Sequence, residues 1–301
     1  MTGVGVKGKQ FFVLVRRPLA MLLCIAVLAS GLNGCSRTGF AYNQIDWVLT
    51  FYLARHFDLD KQQKVELREM VDRNLAWHRQ TQLPLYSDYL AALAASLDET
   101  FTPEQASIAY DEMLDFWDAS MLHIIPDAQV FLSGLTDEQV QQMIQRMEEN
   151  NQELFEEYSG VTEEERKANR DERTIKILEQ FLGKLNAEQK QYISNSLGNM
   201  RDATQDWIEN RRRWQLVFVQ LVKEHPPEAE YRERLTNLYV YPRYYDEPEF
   251  QKTVDANLVA ALDLTSGLIN SLTPKQREGA KRRLNKYASD FRKLSAKSVS
   301  R

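Results

Sequence analysis

Cysteine is almost absent from this chain of 301 residues. Its two cysteines, Cys24 and Cys35, lie near the amino terminus, and no thiol follows Cys35. A disulfide therefore cannot stabilise the long remainder of the chain, so its stability must come from a packed core. The length is sufficient for one large helical domain or two modest ones.

Glycine and strand signals are also scarce. After Cys35 the chain has seven glycines, no Asn-Gly or Asp-Gly pair, and no sustained alternation of apolar and polar residues. Apolar residues instead recur at intervals of three and four, which is typical of amphipathic helices. The sequence predicts an all-α fold: an irregular bundle of about ten helices, built around one long central helix.

Motifs for metal binding and catalysis are missing as well. No two of the four histidines stand three or four positions apart, so none forms a helical ligand pair. The chain has no G-x-S-x-G motif, no glycine-rich phosphate loop and no Ser-x-x-Lys with its supporting motifs. Carboxylates are abundant, but abundance alone nominates no catalytic pair. We therefore expect a protein that is not an enzyme and has no metal or cofactor.

The amino terminus carries features of an export signal. Residues 1–34 contain four basic residues and no acidic one, and an apolar run extends from Leu19 to Leu32. This run is too short and wrongly flanked for a stable transmembrane helix. Arg16-Arg17 suggests the twin-arginine route, but the flanking residues fit it poorly, so general secretion is favoured.

The apolar run ends in Leu32-Asn33-Gly34-Cys35, which resembles the bacterial lipobox. The resemblance implies cleavage before Cys35 and acylation of its thiol; Asn33 departs from the small residue usual at that position. Ser36, where an aspartate would retain the protein in the inner membrane, implies sorting to the outer membrane. Several acyl chains on one cysteine give stable anchoring. The alternative is a free cysteine beside a plain signal or anchor helix.

Five short segments share one template. Each has an apolar residue, then Asp, Thr or Asn, and a glutamine three positions after that polar residue: Leu59–Gln63, Phe101–Gln105, Leu135–Gln139, Leu185–Gln189 and Leu272–Gln276. This pattern is typical of a capping box, in which the polar side chain and the glutamine bond each other's backbone N–H groups. Five such helix starts at irregular spacings favour a bundle over a regular solenoid.

The same segments resemble the LTxxQ motif of periplasmic stress-adaptor chaperones, which are small all-helical cradles for partly folded clients. Leu135–Gln139 and Leu272–Gln276 match it literally. The chain is longer and has more copies than that family. The segment Tyr42–Trp47 after a lipobox also resembles a group of large uncharacterised Gram-negative lipoproteins, which implies an anchor and a helical fold but no known activity.

The longest apolar pattern without a proline runs over residues 187–223. Its apolar positions alternate at intervals of four and three, and Pro226-Pro227 follows it. The pattern predicts a single helix of roughly 55 Å that serves as the central helix of the bundle.

Charge is unevenly distributed. Removal of residues 1–34 leaves 34 basic and 43 acidic residues, a net charge of −9, which argues against nucleic-acid binding. Residues 148–172 have a net charge of −7, and residues 275–301 have one of +8. These segments either attract each other, or the basic one contacts lipid phosphates or acidic glycans, or both are solvated faces.

A tyrosine-rich connection forms the candidate binding surface. Tyrosine and arginine are enriched at interface hot spots, and aromatic and basic residues recur at 207–214 and 239–245. The surface comprises Trp207, Arg211, Trp214, Tyr241, Arg243, Tyr244 and Tyr245. The alternative is that these rings cover the bundle core with their hydroxyls towards water.

Together these features predict a lipoprotein anchored through Cys35 on the periplasmic face of the bacterial outer membrane. We expect a signal peptide at 1–34, a tether at 35–43, a helical domain at 44–296 with subdivisions near 160 and 226, and a disordered basic tail at 297–301. The expected function is that of a binding or chaperone-like adaptor for an envelope protein or an unfolded client. The alternatives are a structural lipoprotein and an enzyme acting on peptidoglycan or lipid.

The lipobox gives the first testable prediction. Cys35→Ser removes the acylated thiol, so the variant should accumulate as unprocessed precursor and take up no fatty-acid analogue. Metabolic labelling followed by electrophoresis measures both. Equal labelling of variant and parent would exclude Cys35 as the lipidation site.

Overall fold

The computed structural model describes residues 37–241 and 246–296. Within these ranges the chain forms one six-residue helix and ten helices of 12 to 36 residues, and no strand. The helices are α1 Arg37–Tyr42, α2 Ile45–His56, α3 Lys61–Ser96, α4 Pro103–Ser133, α5 Asp137–Ser159, α6 Glu163–Leu182, α7 Ala187–Gly198, α8 Thr204–Glu224, α9 Glu228–Tyr239, α10 Pro248–Asn270 and α11 Pro274–Ala296. The predicted all-α bundle is confirmed.

The prediction of one continuous helix over 187–223 is wrong. Helix α7 ends at Gly198 and α8 begins at Thr204. The intervening backbone is bonded by side chains: Asp202 accepts from the N–H of Thr204 at 3.0 Å, and the Asn257 amide bonds both the N–H and the carbonyl of Arg201. These bonds replace the helical ones, so the chain turns although its apolar spacing continues.

The longest helix is α3, with 36 residues or about 54 Å of axial length. It packs along α11 and also contacts α2 and α4. Apolar side chains form three buried clusters. The largest joins α2, α3, α4, α5, α8 and α9; a second joins α1, α2, α3 and α11; and a third joins α6, α7 and α10.

All five predicted capping boxes are present. Asp60, Thr102, Thr136, Asn186 and Thr273 each accept from the backbone N–H three residues on, and each glutamine bonds back to the cap's own N–H. The apolar residue before each cap is buried in the core. A sixth box, between Thr162 and Glu165, begins α6; the five-segment template missed it because glutamate replaces glutamine there.

Four of the five glutamines bond each other in two reciprocal pairs, which we call glutamine clasps. In the first, Gln63 Nε2 donates to Gln139 Oε1 at 2.9 Å and Gln139 Nε2 donates to Gln63 Oε1 at 2.6 Å. In the second, the corresponding distances between Gln189 and Gln276 are 3.1 and 2.9 Å. The first clasp joins the starts of α3 and α5, and the second joins those of α7 and α11.

Each clasped amide also reaches the chain of its partner. Gln63 donates to the carbonyl of Gly134 and Gln139 to that of Asp58, the residues immediately before the partner's motif. The second clasp repeats this with the carbonyls of Ser271 and Lys184. The start of α4 is held differently: Asn270 and Ser266 bond the backbone of Phe101.

The clasps predict unequal costs for equivalent substitutions. Gln189→Leu removes a capping bond and leaves the buried amide of Gln276 without its partner, so it should lower the free energy of unfolding by about 2–3 kcal/mol. Gln105→Leu, in the motif held by Asn270 and Ser266, removes only a capping bond and should cost about 1 kcal/mol or less. Urea denaturation measures both. Equal losses of unfolding free energy in the two variants would show that the clasp adds no stability beyond that of the capping box.

Candidate functional site

An apolar cavity of about 350 Å³, partly open to solvent, lies between α2, α3 and α4. Helix α2 contributes Ile45, Leu49 and Leu53 to its wall, and side chains of α8, α9 and α11 complete it: Phe218, Leu235, Tyr239 and Phe291. Its volume lies within the range of about 300–1,000 Å³ that is common for small-molecule sites. The cavity has both the size and the lining of a binding site for an apolar ligand.

An empty void of this kind would be costly. At roughly 24 cal/mol per Å³, an apolar cavity of this volume would cost up to about 8 kcal/mol if it were closed. That amount is similar to the whole stability of an ordinary domain. A ligand that fills the cavity would recover the lost contacts, since an apolar cavity gains little from water.

A small polar group interrupts the wall where Asn74 meets Asp127. Asn74 Nδ2 donates to Asp127 Oδ2 at 2.6 Å and to the carbonyl of Met70 at 2.7 Å. Arg73 pairs with the other oxygen of Asp127 at 2.9 Å. Across the parts of the chain that the structure describes, Asn74 Oδ1 is buried without a hydrogen-bond partner. The side chains of Asn74, Asp127 and Arg73 thus bond one another, and the Asn74 oxygen is enclosed by the protein.

His78 lies in the same wall as a neutral imidazole. The hydroxyl of Tyr42 lies 2.9 Å from His78 Nδ1, and burial lowers the pKa of His78 to about 4. An uncharged ring is compatible with the apolar lining, because the charged form would lose its hydration there. The wall therefore presents hydrogen-bonding groups and aliphatic surface, which suit binding without proton transfer at neutral pH.

The residues of the predicted binding surface have different environments. Trp214 packs against the core: its ring stacks on Phe218 at 5.4 Å, and its Nε1 donates to the carbonyl of Leu238 at 3.0 Å. Trp207 and Arg211 lie together, with the guanidinium 5.9 Å from the ring centre. Arg211 also donates to Asn151 Oδ1 at 3.2 Å. The structure thus keeps Trp207 and Arg211 together and fixes Trp214 through its indole N–H.

Tyr241 is 58% exposed at the end of α9. Arg243, Tyr244 and Tyr245 lie outside the described residues, as does Cys35. Their binding and lipidation roles stay predictions. The sequence did not indicate Asn74, Asp127 or the cavity, because side chains of several separate helices meet there and no local motif marks them.

Two further findings concern the described residues alone. In these ranges no cluster of three or more His, Cys, Asp or Glu side chains could hold a metal ion. None of the helices there is both long enough and apolar enough to cross a bilayer.

His78 makes folding stability pH-dependent. Its pKa is about 4 in the folded chain and about 6.5 when unfolded, so the unfolded state takes up a proton first as the pH falls. Its contribution to stability is constant above about pH 6.5 and is lost as the pH falls towards 4. We expect a loss of about 2 kcal/mol between pH 7 and pH 5.

Burial lowers the pKa of His56 and His123 too, so they act in the same direction. His78→Gln keeps an acceptor for the Tyr42 hydroxyl and should remove most of this pH dependence. Urea denaturation of the parent and the variant at pH 7 and pH 5 measures the pH dependence of each. A variant that loses as much stability as the parent would assign the pH dependence to other groups.

Comparison with known proteins identifies a family but no characterised relative. A model of the DUF6279 family, a family of unknown function, matches residues 55–251. The matched region contains all of α3 to α9 and therefore most of the cavity wall. No curated protein and no solved structure matches the chain. Since the matched region covers more than half of the chain, the protein belongs to the DUF6279 family of unknown function.

Proposed function

We propose that this protein is a lipoprotein of the bacterial outer membrane that faces the periplasm and binds an apolar ligand in the cavity between α2, α3 and α4. The cavity is the observation that carries the proposal. The lipobox-like segment before Cys35 supports the anchor and the location. Binding, rather than catalysis, fits a wall that combines aliphatic side chains with a neutral His78 and few polar groups.

The ligand class follows from the lining. Aliphatic and aromatic side chains dominate the wall, and the polar groups are confined to a few positions, among them Ser120, Asn74 and Asp127. Such a site favours an acyl chain or another compact apolar group. A negatively charged headgroup would fit poorly beside the Asp127 carboxylate, although Arg73 pairs with that carboxylate.

An adaptor for an envelope protein or an unfolded client is the second candidate. The LTxxQ-like segments give it little support, because four of their glutamines are occupied by each other in the clasps. The pair of Trp207 and Arg211, together with the exposed Tyr241, supports it better. Aromatic and arginine side chains are the usual anchors of protein interfaces. A purely structural lipoprotein and an enzyme acting on peptidoglycan or lipid are the competing classes.

Binding of phenylnaphthylamine, a neutral fluorescent probe, tests the proposal. Ala128 lines the cavity, so Ala128→Phe should fill part of it and weaken probe binding at least tenfold, about 1.4 kcal/mol. Ala256→Phe is the matched control, since Ala256 is exposed on α10 outside the cavity wall. It should bind the probe like the parent.

Thermal melting of the same proteins checks that they fold. Filling a void should leave the melting temperature of Ala128→Phe equal to that of the parent or higher. A parent that binds no probe, or two variants that bind it equally, would contradict the cavity as a binding site. If the second candidate also holds, a folded Ala128→Phe protein should lose the probe and still capture an envelope protein in a pull-down. That result would separate the ligand site from the adaptor surface.

A further inference from the structure

Helix α2 is apolar on two opposite sides. Ile45, Leu49 and Leu53 point into the cavity. The outward side has Trp47, Val48, Phe51 and Tyr52, which are 64, 50, 55 and 57% exposed. Their spacing places all four on one strip of the helix. The rings of Trp47 and Phe51 stack at 5.5 Å, and we call this strip of four apolar side chains the α2 outer face.

Such a face needs an explanation. Exposed hydrophobic side chains are ordinary when they are scattered, but a contiguous strip of four on one short helix usually contacts a partner or a membrane. Tryptophan and tyrosine are the side chains most enriched at the boundary between lipid and water, because their rings are apolar and their polar tips remain hydrated. The composition of the α2 outer face is therefore that of an interfacial lipid contact.

The length of chain before α2 places this face near the proposed anchor, and this step rests on the proposed lipidation of Cys35. One residue separates Cys35 from the start of α1, and two residues separate the end of α1 from the start of α2. Even with every non-helical link fully extended, the Cα atoms of Cys35 and Trp47 can be at most about 28 Å apart. A bilayer that holds Cys35 is therefore within reach of the α2 outer face.

The basic end of α11 lies at the same end of the bundle. Phe291 and Leu294 of α11 share a buried cluster with Tyr42 and Ile45, on either side of the α1–α2 junction. Beside them Arg292 and Lys293 are exposed; Arg292 pairs with Asp88. Cationic side chains at the same end of the bundle as an apolar face complement anionic headgroups.

We infer that the α2 outer face, Trp47, Val48, Phe51 and Tyr52, lies in the interfacial layer of the bilayer that holds the lipid anchor, with the basic end of α11 against the headgroups. This contact fixes the orientation of the body as well as its distance from the membrane. It also makes α2 a partition between the bilayer and the cavity, one helix diameter or about 10 Å thick. The membrane itself is then the nearest source of an apolar ligand.

Single-cysteine labelling tests this inference, because acylated Cys35 is the only cysteine of the processed chain. Phe51→Cys is labelled with a polarity-sensitive fluorophore, and Val259→Cys, an equally exposed apolar position on α10, is the matched control. The lipidated proteins are reconstituted in vesicles of phosphatidylcholine and phosphatidylglycerol, with or without bromine on the acyl chains. Circular dichroism confirms folding, and Val48→Cys provides a second position on the same face.

A probe at residue 51 or 48 should emit further to the blue than the control and lose severalfold more fluorescence with brominated lipid. A probe at 51 that behaves like the one at 259 would overturn the inference. The inference would also be overturned if the blue shift increased with the protein-to-lipid ratio but the fluorescence did not respond to bromination. Such a result would indicate contact between two copies of the protein. Fatty-acid labelling and vesicle flotation report the anchor separately: an unlabelled chain overturns the anchor and this inference together, whereas a labelled chain with an unchanged probe overturns this inference alone.

Discussion

The reciprocal hydrogen bonding of buried and half-buried glutamine amides organises this bundle. A helix start exposes backbone N–H groups that need acceptors, and a capping box satisfies two of them while leaving the glutamine Nε2 free to donate. In both clasps that remaining donor is used on a second helix start and on the carbonyl just before it. Local capping and long-range packing are thus carried by the same side chain. Because an unpaired buried amide is costly, the two helix starts of each clasp hold each other in one register.

The packing that the clasps hold leaves the large cavity beside α2 unfilled. Two of the three buried clusters line this cavity, and α2 divides its apolar side chains between the cavity and the exterior. A helix that is apolar on both sides and packs mainly against one neighbour gains less from the core than its composition allows. We therefore regard α2 as the part of the fold whose sequence is explained by contacts outside the protein.

Local signals were sufficient to predict the all-α class and five of the helix starts, because a cap and its glutamine are three residues apart. Contacts between distant segments could not be predicted this way. The clasp partners are 76 and 87 residues apart, and neither motif contains a feature that identifies its partner. The break between α7 and α8 was missed because it depends on Asn257 of α10, while the apolar spacing continues through it. Trp214 resembled a surface aromatic in the sequence, but the carbonyl of Leu238 fixes it against the core.

The two clasps have a consequence for the order in which the chain assembles. One closes a loop from Gln63 to Gln139 and the other a loop from Gln189 to Gln276, and these loops do not overlap in sequence. For a chain delivered amino terminus first, the first loop can close before the second has emerged, and each closure carries its own entropy cost. The packing of α11 along α3 needs the final helix, so it can form only after the preceding helices have been delivered. This order allows each clasp to close separately before α11 docks along α3, and the cavity wall is complete only when Phe291 of α11 is in place.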